Sequence, residues 1–559
     1  MGKRPLVHPA PPPNIADPPT GPASAESSTP GTGTAPVAIS PRICEIFCAL
    51  LLLILALAPN SLINTDGDVA QHLAVGHLIL NGPLIPQQDI FSHAHLGQPF
   101  LDWEWLSEAI YAAADALFGL NGVAILAAAL LAGSLYGLCR WMMARGLHPM
   151  LAFLLVLLTT VASEIHWLAR PHLFSLPLML LTMWLLDEYR LGRLAARRLA
   201  LIPVLTVFWA NIHPGFIFGL VTCGAYLAGA LAEWAILRYA TPGLVQRVFQ
   251  RAPPFAETAN PPSPATQIRV YGLTLAAAAV AGLINPYGWE LYAHIWVSTG
   301  SPTTALIAEF QHPDLRQPIT WGFVGLLAGM LLLLGRTWRR VPPAHLALLA
   351  GWTYLAIQAA RNILQFSFVV PALLAPRLAE LVNAHAGEGR GGAVLARYRL
   401  PAPPRPGPPW ILGGTLAVLL ILAALGGGVS NAQILRAHWT EPPFPMRAVQ
   451  FVQANPQMFG GKMFNYIIWG GYLIGTLHPQ HLIFISTQQD AYGETLNADY
   501  RAIENTGPGW DTLLARYDIG WVIERPDVPL VQQLRKQPER WQVVYEDATA
   551  VILVRRAAH

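Results

Sequence analysis

Charged residues are scarce in this sequence, and lysine is nearly missing. Asp, Glu, Lys and Arg make up 12% of the 559 residues, whereas soluble domains carry about 25%; the only lysines are Lys3, Lys462 and Lys536. Long runs of Leu, Ala and Val take the place of the missing charge, which excludes a soluble globular protein and predicts a multi-span membrane protein. The net charge of +3 is too small to indicate a nucleic-acid partner.

Cysteines are few, and nucleotide-binding motifs are missing. The four cysteines, Cys44, Cys48, Cys139 and Cys223, lie in or beside apolar runs. Their spacing matches neither a disulfide framework nor a zinc site, so we expect four buried thiols that behave as small apolar residues. The sequence contains no Walker loop, no dinucleotide-binding glycine motif and no nucleophile elbow, which argues against soluble nucleotide-dependent chemistry.

The apolar runs divide the chain into three parts. Residues 1–42, rich in Pro, Ala, Ser, Thr and Gly, cannot bury enough surface to fold and are predicted to be a disordered cytoplasmic tail. Residues 43–429 hold about eleven runs long enough to cross a membrane as helices. Residues 430–559 alternate helix and strand patterns, with strands expected at "HLIFIS" and "IGWVIE" and a closing hairpin. The predicted fold class is therefore a mainly α, polytopic helical membrane protein with a small α/β C-terminal domain.

Arginines indicate how the spans are oriented. The spans are expected at about 43–63, 120–138, 150–166, 172–187, 199–211, 214–236, 269–284, 320–335, 344–360, 363–378 and 410–428. If they alternate, most loop arginines fall on the side of the N-terminus, and only Arg170, Arg316 and Arg361 fall on the other side. Because positive residues favour the cytoplasm, we expect a multi-pass protein of the inner (plasma) membrane with a cytoplasmic N-terminus and an extracytoplasmic C-terminal domain.

A polar run follows the first span, within a predicted first extracytoplasmic loop of residues 64–119 that ends in an interfacial helix. The run extends from Asn64 to Tyr111, concentrates Asp, Glu and His, and contains no Lys or Arg. Asp66 and Asp68 come just past the span, where a carboxylate near a low dielectric can act as a general base or hold a divalent cation such as Mg²⁺ or Mn²⁺. The same pair can equally be solvated loop acids or a cap for the following helix.

The other turns predicted on that side carry basic, amide and imidazole groups. Ionisable groups at a membrane edge are costly and usually face a cavity, although each one alone can be a snorkelling arginine or a helix cap. Two arginines against the topological trend favour an anionic ligand, because Arg binds phosphate through paired hydrogen bonds. Together with the first loop, these turns supply the candidate substrate-binding residues His72, His93, Glu104, His166, Arg170, His172, Asn211, His213, Asn285, Arg361 and Asn362.

Several segments resemble the C-type (GT-C) glycosyltransferase superfamily of integral membrane enzymes. An apolar first span leads into "NTDGDVAQHLAVGHLILNGPLIPQQDIFS", and "RPHLFSLPL", "WANIHPGF", "NPYGWELY", "NYIIWGGYLI" and "DAYGE" follow. The resemblance covers most of residues 43–555 and is to a bacterial branch of multi-span proteins. One departure concerns the C-terminal part, where relatives often have Asp-Gly-Arg and this chain has Ser486, Thr487 and Gln488.

The resemblance implies that a hexosyl or pentosyl group passes from a polyprenyl-phosphate carrier to a glycan, lipid or protein acceptor on the outer face of the membrane. Asp66 or Asp68 would be the base or the ligand of a divalent cation. Arg170, His172 and Arg361 are candidates for the carrier phosphate, on the strength of the predicted topology. The departure at positions 486–488 bears on how the acceptor is bound.

Two other classes of function remain open. A transporter or flippase for a lipid-linked or anionic solute needs charge or broken helices at the bilayer midplane. Few charges lie in the middle of the predicted spans, which favours the enzyme over the transporter. A catalytically silent membrane assembly protein is compatible with the same pattern.

Overall fold

The fold is described from a computed structural model of residues 42–65, 67–82, 85–240, 261–300, 308–386, 389–398, 407–429 and 432–556. The predicted disordered tail lies outside the described residues except for Arg42, and so does Asp66. Asp68 and the eleven predicted substrate-binding residues all lie within them.

Helices make up most of the described chain before position 425. They are α1 (Ile43–Leu57), α2 (Asn60–Ile63), α3 (Asp68–Asn81), α4 (Trp105–Phe118), α5 (Leu120–Ala144), α6 (Pro149–Ser163), α7 (His172–Arg190), α8 (Leu201–Ile212), α9 (Phe216–Tyr239), α10 (Pro264–Ala281), α11 (Trp289–Gly300), α12 (Trp321–Thr337), α13 (Pro343–Gln358), α14 (Ile363–His385), α15 (Gly389–Ala396) and α16 (Trp410–Ala424). Each segment predicted to span the membrane contains one of these helices, which confirms a mainly helical membrane-type architecture.

Five helical segments in the described parts of the chain are long and apolar enough to cross a membrane. They are Leu120–Ala144, Pro149–His166, Phe216–Tyr239, Pro318–Arg340 and Ala360–His385. The helices α1 and α16 are apolar but shorter. Large apolar side chains remain exposed on the outside of the bundle, including Leu273 on α10 and Leu332 on α12. A surface of this kind is costly in water and suits a lipid environment.

A disulfide bond corrects the prediction of four free thiols. Cys44 on α1 and Cys139 on α5 are bonded, with their Cα atoms 6.5 Å apart, while Cys48 and Cys223 are free and buried. The two bonded residues are 95 positions apart, so no local spacing could reveal the pair. Only the side-by-side packing of α1 against α5 brings them together.

The C-terminal part forms the predicted α/β domain around one small sheet. The elements of this part are β1 (Gly428–Val429), β2 (Ala432–Gln433), α17 (Met446–Ala454), β3 (Lys462–Asn465), α18 (Gly470–Leu477), α19 (Gln489–Glu504), α20 (Trp510–Arg516), β4 (Ile519–Glu524), α21 (Pro529–Arg535), β5 (Trp541–Glu546) and β6 (Val551–Arg555). β1 and β2 form a short hairpin, and the sheet has the strand order β3-β4-β6-β5, in which β3 and β4 are parallel and the other neighbours are antiparallel. The predicted hairpin and the strand at "IGWVIE" are confirmed.

The strand predicted at "HLIFIS" is wrong, and the reason is a contact with the first loop. Ile483 forms a single parallel bridge with Ser92. The Ile483 N–H donates to the Phe91 carbonyl, and the His93 N–H donates to the Ile483 carbonyl. The segment therefore forms these backbone hydrogen bonds with the first loop and not with the sheet. The edge of the sheet is occupied by β3, which was not predicted.

The first loop and the C-terminal domain share one core, which positions the start of α3. Ala70 and Val75 of α3 pack in the same apolar cluster as Trp469 and Leu473 of the domain. Close approach of the backbones requires glycine here: a Cβ on Gly471 would lie 2.5 Å from the carbonyl oxygen of Gly67. The C-terminal domain thus holds the first turn of α3, which carries Asp68.

Candidate active site

Four charged side chains from four separate segments meet at the end of the bundle where α3 and α4 lie, which we call the first-loop end. Asp68 in the first turn of α3 pairs with Nη2 of Arg170, which lies two residues before α7. Nη1 of Arg170 lies 3.5 Å from Oε2 of Glu309, and Nη1 of Arg361 lies 3.4 Å from Oε1 of the same carboxylate. We call Asp68, Arg170, Glu309 and Arg361 the ion cluster.

The ion cluster is partly open and electrically balanced. Its side chains keep between 18% and 27% of their surface exposed, so small polar groups can reach them. Burial alone would raise the pKa of Asp68. The positive charge of Arg170, with smaller contributions from His72 and Arg361, holds that pKa below its usual value. Burial opposes the ionisation of Glu309 in the same way, and Arg170 and Arg361 lower its pKa. Two ionised carboxylates therefore face two guanidinium groups at neutral pH.

A second set of acids, Asp102, Glu104 and Glu108, lies at the start of α4. Oε1 of Glu108 is 2.8 Å from Nδ1 of His72, whose Nε2 lies 3.9 Å from Oε2 of Glu104. Burial, followed by the charge of Glu108, raises the pKa of Asp102 well above its usual value, and burial with the charge of Glu104 raises that of Glu108. Two carboxyl groups this close cannot both ionise at low cost, so the buried Asp102–Glu108 pair retains a proton at neutral pH.

Glu104 differs from both of these acids because it remains reachable. Its side chain is 16% exposed. Burial raises its pKa from 4.5 to about 7, against the opposing influence of His72 and Arg170. Oε1 of Glu104 lies 3.6 Å from Nε2 of His213. Nδ1 of His213 accepts a hydrogen bond from the Gly215 N–H, which assigns the ring proton to Nε2, facing Glu104.

The remaining imidazoles and amides border these two sets. Nδ1 of His166 lies 3.6 Å from Oε2 of Glu309. The His172 ring packs 4.4 Å from that of His166, centroid to centroid, and its Nε2 donates to the His166 carbonyl at 3.1 Å. Asn211 accepts a hydrogen bond from the Trp105 indole at 2.9 Å, which ties the end of α8 to the start of α4. Together they frame the site on the sides of α6, α7 and α8.

Three predicted site residues lie elsewhere. Nε2 of His93 donates to the Met463 carbonyl at 2.7 Å, at the boundary between the first loop and the sheet. Asn285 shapes its own turn by accepting from the Tyr287 N–H, and Asn362 donates to the Leu355 carbonyl. Asn285 still contributes indirectly, because the Tyr287 hydroxyl of its turn accepts the N–H of Asp102.

Other residues at the site were not among the predicted ones. Glu309 bridges both arginines, and Asp102 and Glu108 form the buried acid pair. The short spacing of acids in "DWEWLSE" was a usable signal for two of them. The C-terminal domain adds Thr487 beside Asp68 and Gln488, whose Oε1 accepts from Nε2 of Gln71 at 2.6 Å. The segment that departs from the GT-C pattern thus contacts the first turn of α3.

The described residues do not fit a divalent cation. Among them, no group of three His, Cys, Asp or Glu side chains is arranged to hold a metal ion. Asp68, the described member of the predicted metal pair, is bound to Arg170, and a guanidinium there repels a cation. Asp66 lies outside the described residues, so a cation at this position stays a prediction.

Two cavities lie between elements that adjoin the site, and neither is lined by the ion cluster. One, of about 450 Å³, lies between the second half of α3 and the C-terminal domain and is bordered by His77, Asp115, Trp439 and Tyr472. His77 is nine positions from Asp68, about 13 Å along the helix. The other is an apolar groove of about 290 Å³ between α6, α12 and α14. Two of its helices, α6 and α14, adjoin His166 and Arg361 in sequence.

No protein-family model matches the sequence, and no curated protein matches it. Among solved structures, the chain is similar to the Archaeoglobus fulgidus oligosaccharyltransferase. Against its apo crystal form the TM-score is 0.53, with 12% identity over 86% of this chain and 69% of the other. Against the same archaeal enzyme in complex with an inhibitory peptide and a dolichol-phosphate, the TM-score is 0.54, with 13% identity over 89% and 69%. At such low identity the likeness concerns the fold alone: this chain has the same overall fold as the archaeal oligosaccharyltransferase.

Proposed function

We propose that this chain is a membrane glycosyltransferase that transfers a sugar from a polyprenyl-phosphate-linked donor to an acceptor at the first-loop end of its helix bundle. The observation that carries the proposal is the ion cluster, in which two guanidinium groups share one carboxylate. Arg170 and Arg361 approach opposite oxygens of Glu309 at 3.5 and 3.4 Å. These contacts are longer than the 2.7–2.9 Å of strong charge-assisted hydrogen bonds.

A phosphate suits the same two arginines. Carboxylate and phosphate present oxygens to a guanidinium in the same paired geometry. The Arg361 guanidinium also lies 4.3 Å over the ring of Phe310, which holds it in one orientation. A leaving phosphate between Arg170 and Arg361 would have its developing negative charge neutralised, and such stabilisation is the main contribution in many group-transfer reactions.

The reaction would be an inverting displacement. The acceptor oxygen attacks the anomeric carbon of the sugar, the bond from that carbon to the carrier phosphate breaks, and the phosphate leaves with the electron pair. Asp68 is suited to orienting the acceptor, because its ion pair with Arg170 keeps it ionised. The same pair makes Asp68 a weak base, since a general base works best with a pKa near the working pH. No step here depends on a cation, although Asp66 with Asp68 is the candidate pair for one.

The lipid part of the donor has a suitable path. The groove between α6, α12 and α14 is lined by residues such as Leu158, Met330 and Pro371. Its apolar lining suits an isoprenoid chain in the membrane. The α14 residue of the groove that is nearest to Arg361 in sequence is Val370, nine positions or about 13 Å along the chain, so a lipid chain in this groove would extend over that distance to place its phosphate near Arg361. This path supports a lipid-linked donor over a soluble one.

The proposed arrangement relative to the membrane follows the arginine bias. Residues 43–429 would form the membrane domain of the inner membrane, with residues 430–559 as the extracytoplasmic α/β domain and the N-terminus in the cytoplasm. The acceptor, which is a glycan, lipid or protein, would enter between the first loop and the domain, near His93. A transporter would need polar groups near the midplane, whereas the ion cluster lies at the helix ends.

The proposal is tested in the organism's own cells. Chromosomal substitutions Asp66→Asn, Asp68→Asn and Arg361→Ala are compared with wild type for surface polysaccharide, glycolipid and glycoprotein profiles by mass spectrometry. We expect one glycan species to fall at least 10²-fold in the Arg361→Ala cells. Arg316→Ala is the matched control, because Arg316 lies exposed in the same loop region as Glu309.

A binding experiment tests the phosphate site directly. The purified protein in detergent is heated with undecaprenyl phosphate or with the uncharged undecaprenol. At a hundredfold excess over Kd, a ligand stabilises a protein by about 2.7 kcal/mol. We expect the phosphate to raise the Tm of wild type and Arg316→Ala but not of Arg170→Ala or Arg361→Ala. Unchanged glycans in all variants at normal protein levels, together with equal Tm shifts for phosphate and alcohol, would contradict the proposal and leave the silent assembly protein.

A further inference from the structure

Glu104 is a reachable carboxylate without a hydrogen bond to its side-chain oxygens in the described part of the chain. Its two oxygens face the Nε2 atoms of His213 and His72, at 3.6 and 3.9 Å. These distances are too long for hydrogen bonds and short enough to orient the carboxylate electrostatically. Both imidazole rings are fixed by a hydrogen bond at the nitrogen that does not face Glu104. Nδ1 of His72 bonds to Glu108, and Nδ1 of His213 accepts from the Gly215 N–H.

We propose that Glu104 is the residue that takes the proton of the acceptor hydroxyl, with His72 and His213 as the residues that position it. The inference deepens the proposed glycosyl transfer and rests on it. The sequence predicts the base at Asp66 or Asp68 and only binding at Glu104. In the structure Asp68 is paired with Arg170, whereas both oxygens of Glu104 are free to accept a hydrogen bond from a substrate.

The chemical step balances without a further reactant. As the acceptor oxygen bonds to the anomeric carbon, its proton moves to a carboxylate oxygen of Glu104, which becomes a carboxylic acid. The carbon–oxygen bond to the carrier phosphate breaks in the same step, and the electron pair leaves with the phosphate. The proton then passes to water, which reaches the partly exposed side chain.

Charged groups from five surrounding segments act on Glu104. His72 comes from α3, His213 from the α8–α9 turn, Arg170 from the segment before α7, Arg361 from the segment before α14, and Asp102 from its own loop. Burial raises the pKa of Glu104, His72, Arg170 and Arg361 lower it, and Asp102 raises it, with a net value of about 7. Glu108 on α4 also interacts with the charge of Glu104. A base with a pKa near the working pH is the most effective kind.

The rate of sugar transfer in a Glu104 variant provides the first test. Transfer is measured in membranes of the native cells, which contain donor and acceptor, as formation of the glycan that Arg361→Ala removes. We expect Glu104→Gln to lower the rate by about 10²–10⁴-fold. Glu290→Gln, which changes an exposed glutamate in the first turn of α11, is the matched control and should retain the wild-type rate.

The pH profile distinguishes this role from a structural one. A general base must be ionised, so the rate falls as the pH drops through the pKa of Glu104. Removing the imidazole in His72→Asn raises that pKa and should move the acidic limb to higher pH. Asp102→Asn should move the limb little, because the Asp102–Glu108 pair already retains a proton and its charge stays the same. Rates are normalised to the amount of folded protein, because both substitutions affect buried contacts.

The outcomes separate the inference from the proposed function. If the glycan depends on Arg361 but Glu104→Gln retains the wild-type rate, or if His72→Asn leaves the acidic limb unmoved, Glu104 is not the base and the glycosyl transfer stands. If no glycan depends on Arg361 or Asp68, the proposed function fails first. A large loss in Glu104→Gln together with a shift of the acidic limb to higher pH in His72→Asn supports the assignment.

Discussion

The two ends of the helix bundle carry ion clusters built from the same residue types but with different geometry. At the first-loop end, Glu309 holds its two arginines at 3.4 and 3.5 Å. At the opposite end of α7, Asp187 lies 2.6 Å from Arg145, 2.8 Å from Arg190 and 3.0 Å from His345. We call this second set the Asp187 cluster.

Exposure also differs between the clusters. The side chains of Asp187, Arg145 and His345 are at most 5% exposed, and that of Arg190 is 20% exposed, compared with 18–27% for all four side chains of the ion cluster. Both oxygens of Asp187 are within hydrogen-bonding distance of a basic group, and Nη1 of Arg145 also contacts Glu188 at 2.6 Å. The Asp187 cluster therefore joins α5, α7 and α13 as a mostly buried structural contact. In the ion cluster Asp68 pairs closely with Arg170, but Glu309 has only long contacts with its two arginines, and acids with perturbed pKa values lie nearby, as is typical of reactive sites.

The largest expected effect comes from breaking the Asp187 cluster. Asp187→Ala removes the partner of the buried Arg145 and of the partly exposed Arg190, and removal of one member of a buried ion pair costs about 3–5 kcal/mol. We expect a matching loss in the free energy of unfolding, measured by denaturant titration of the purified protein in detergent. Asp527→Ala is the control, because Asp527 is 76% exposed and a surface pair contributes about 0–1 kcal/mol. A loss below about 1 kcal/mol for Asp187→Ala would erase the contrast between the clusters.

A substitution at the first-loop end should instead increase the free energy of unfolding. The pKa of Glu104 is about 7 in the folded protein against an ordinary 4.5, so the folded state binds more protons between these pH values. Stability conferred by this group is therefore present below pH 4.5 and lost as the pH rises through 7. We expect Glu104→Gln to be more stable than wild type at pH 8, on the order of 2 kcal/mol, and equally stable near pH 4.

Thermal unfolding at these two pH values measures the difference. Glu290→Gln should show no gain at either pH, because it changes an exposed glutamate. A Glu104→Gln protein less stable than wild type at pH 8 would mean that the carboxylate supports the fold. A gain in stability together with a loss of transfer would show that the site is maintained at the expense of stability.

The smallest expected effect concerns the orientation of Arg361. Phe310→Leu removes the ring that lies 4.3 Å from its guanidinium carbon, and such contacts contribute about 0.5–1 kcal/mol at partly exposed sites. We expect undecaprenyl phosphate to bind about two- to fivefold more weakly, with little change in Tm without ligand. Phe208→Leu, on the exposed face of α8, should bind as wild type does. An unchanged affinity in Phe310→Leu would show that the ion pair with Glu309 alone orients Arg361.

The predicted helices and the convergence of basic groups were recoverable from sequence because their signals are local. Apolar runs are long, and the arginine bias is read loop by loop. Arg170 and Arg361 do meet, and His166 and His172 lie beside them. Asn362 was grouped with Arg361, which it follows in the sequence. Its side chain donates to the Leu355 carbonyl in the last turn of α13, and the local sequence does not distinguish such a structural role from substrate binding.

Contacts between distant segments were not recoverable. Glu309 bridges arginines 139 and 52 positions away, and Thr487 of the C-terminal domain reaches Asp68 of the first loop. The strand predicted at "HLIFIS" failed for the same reason, since its hydrogen-bond partners lie in the first loop. Such pairings depend on how helices and domains pack, and a single sequence carries no direct record of that packing.

By itself, the sequence determined the membrane class, the positions of the helices and the concentration of polar groups after the first span, because hydropathy and charge bias act over neighbouring residues. Only the tertiary structure decided which acids are ionised. The sequence predicts the base at Asp66 or Asp68 and only substrate binding at Glu104, but in the structure Asp68 lies against Arg170, whereas Glu104 lies beside a buried acid pair that helps to raise its pKa. Burial and charge–charge energies depend on distances in space, and those distances exist only once the chain has folded.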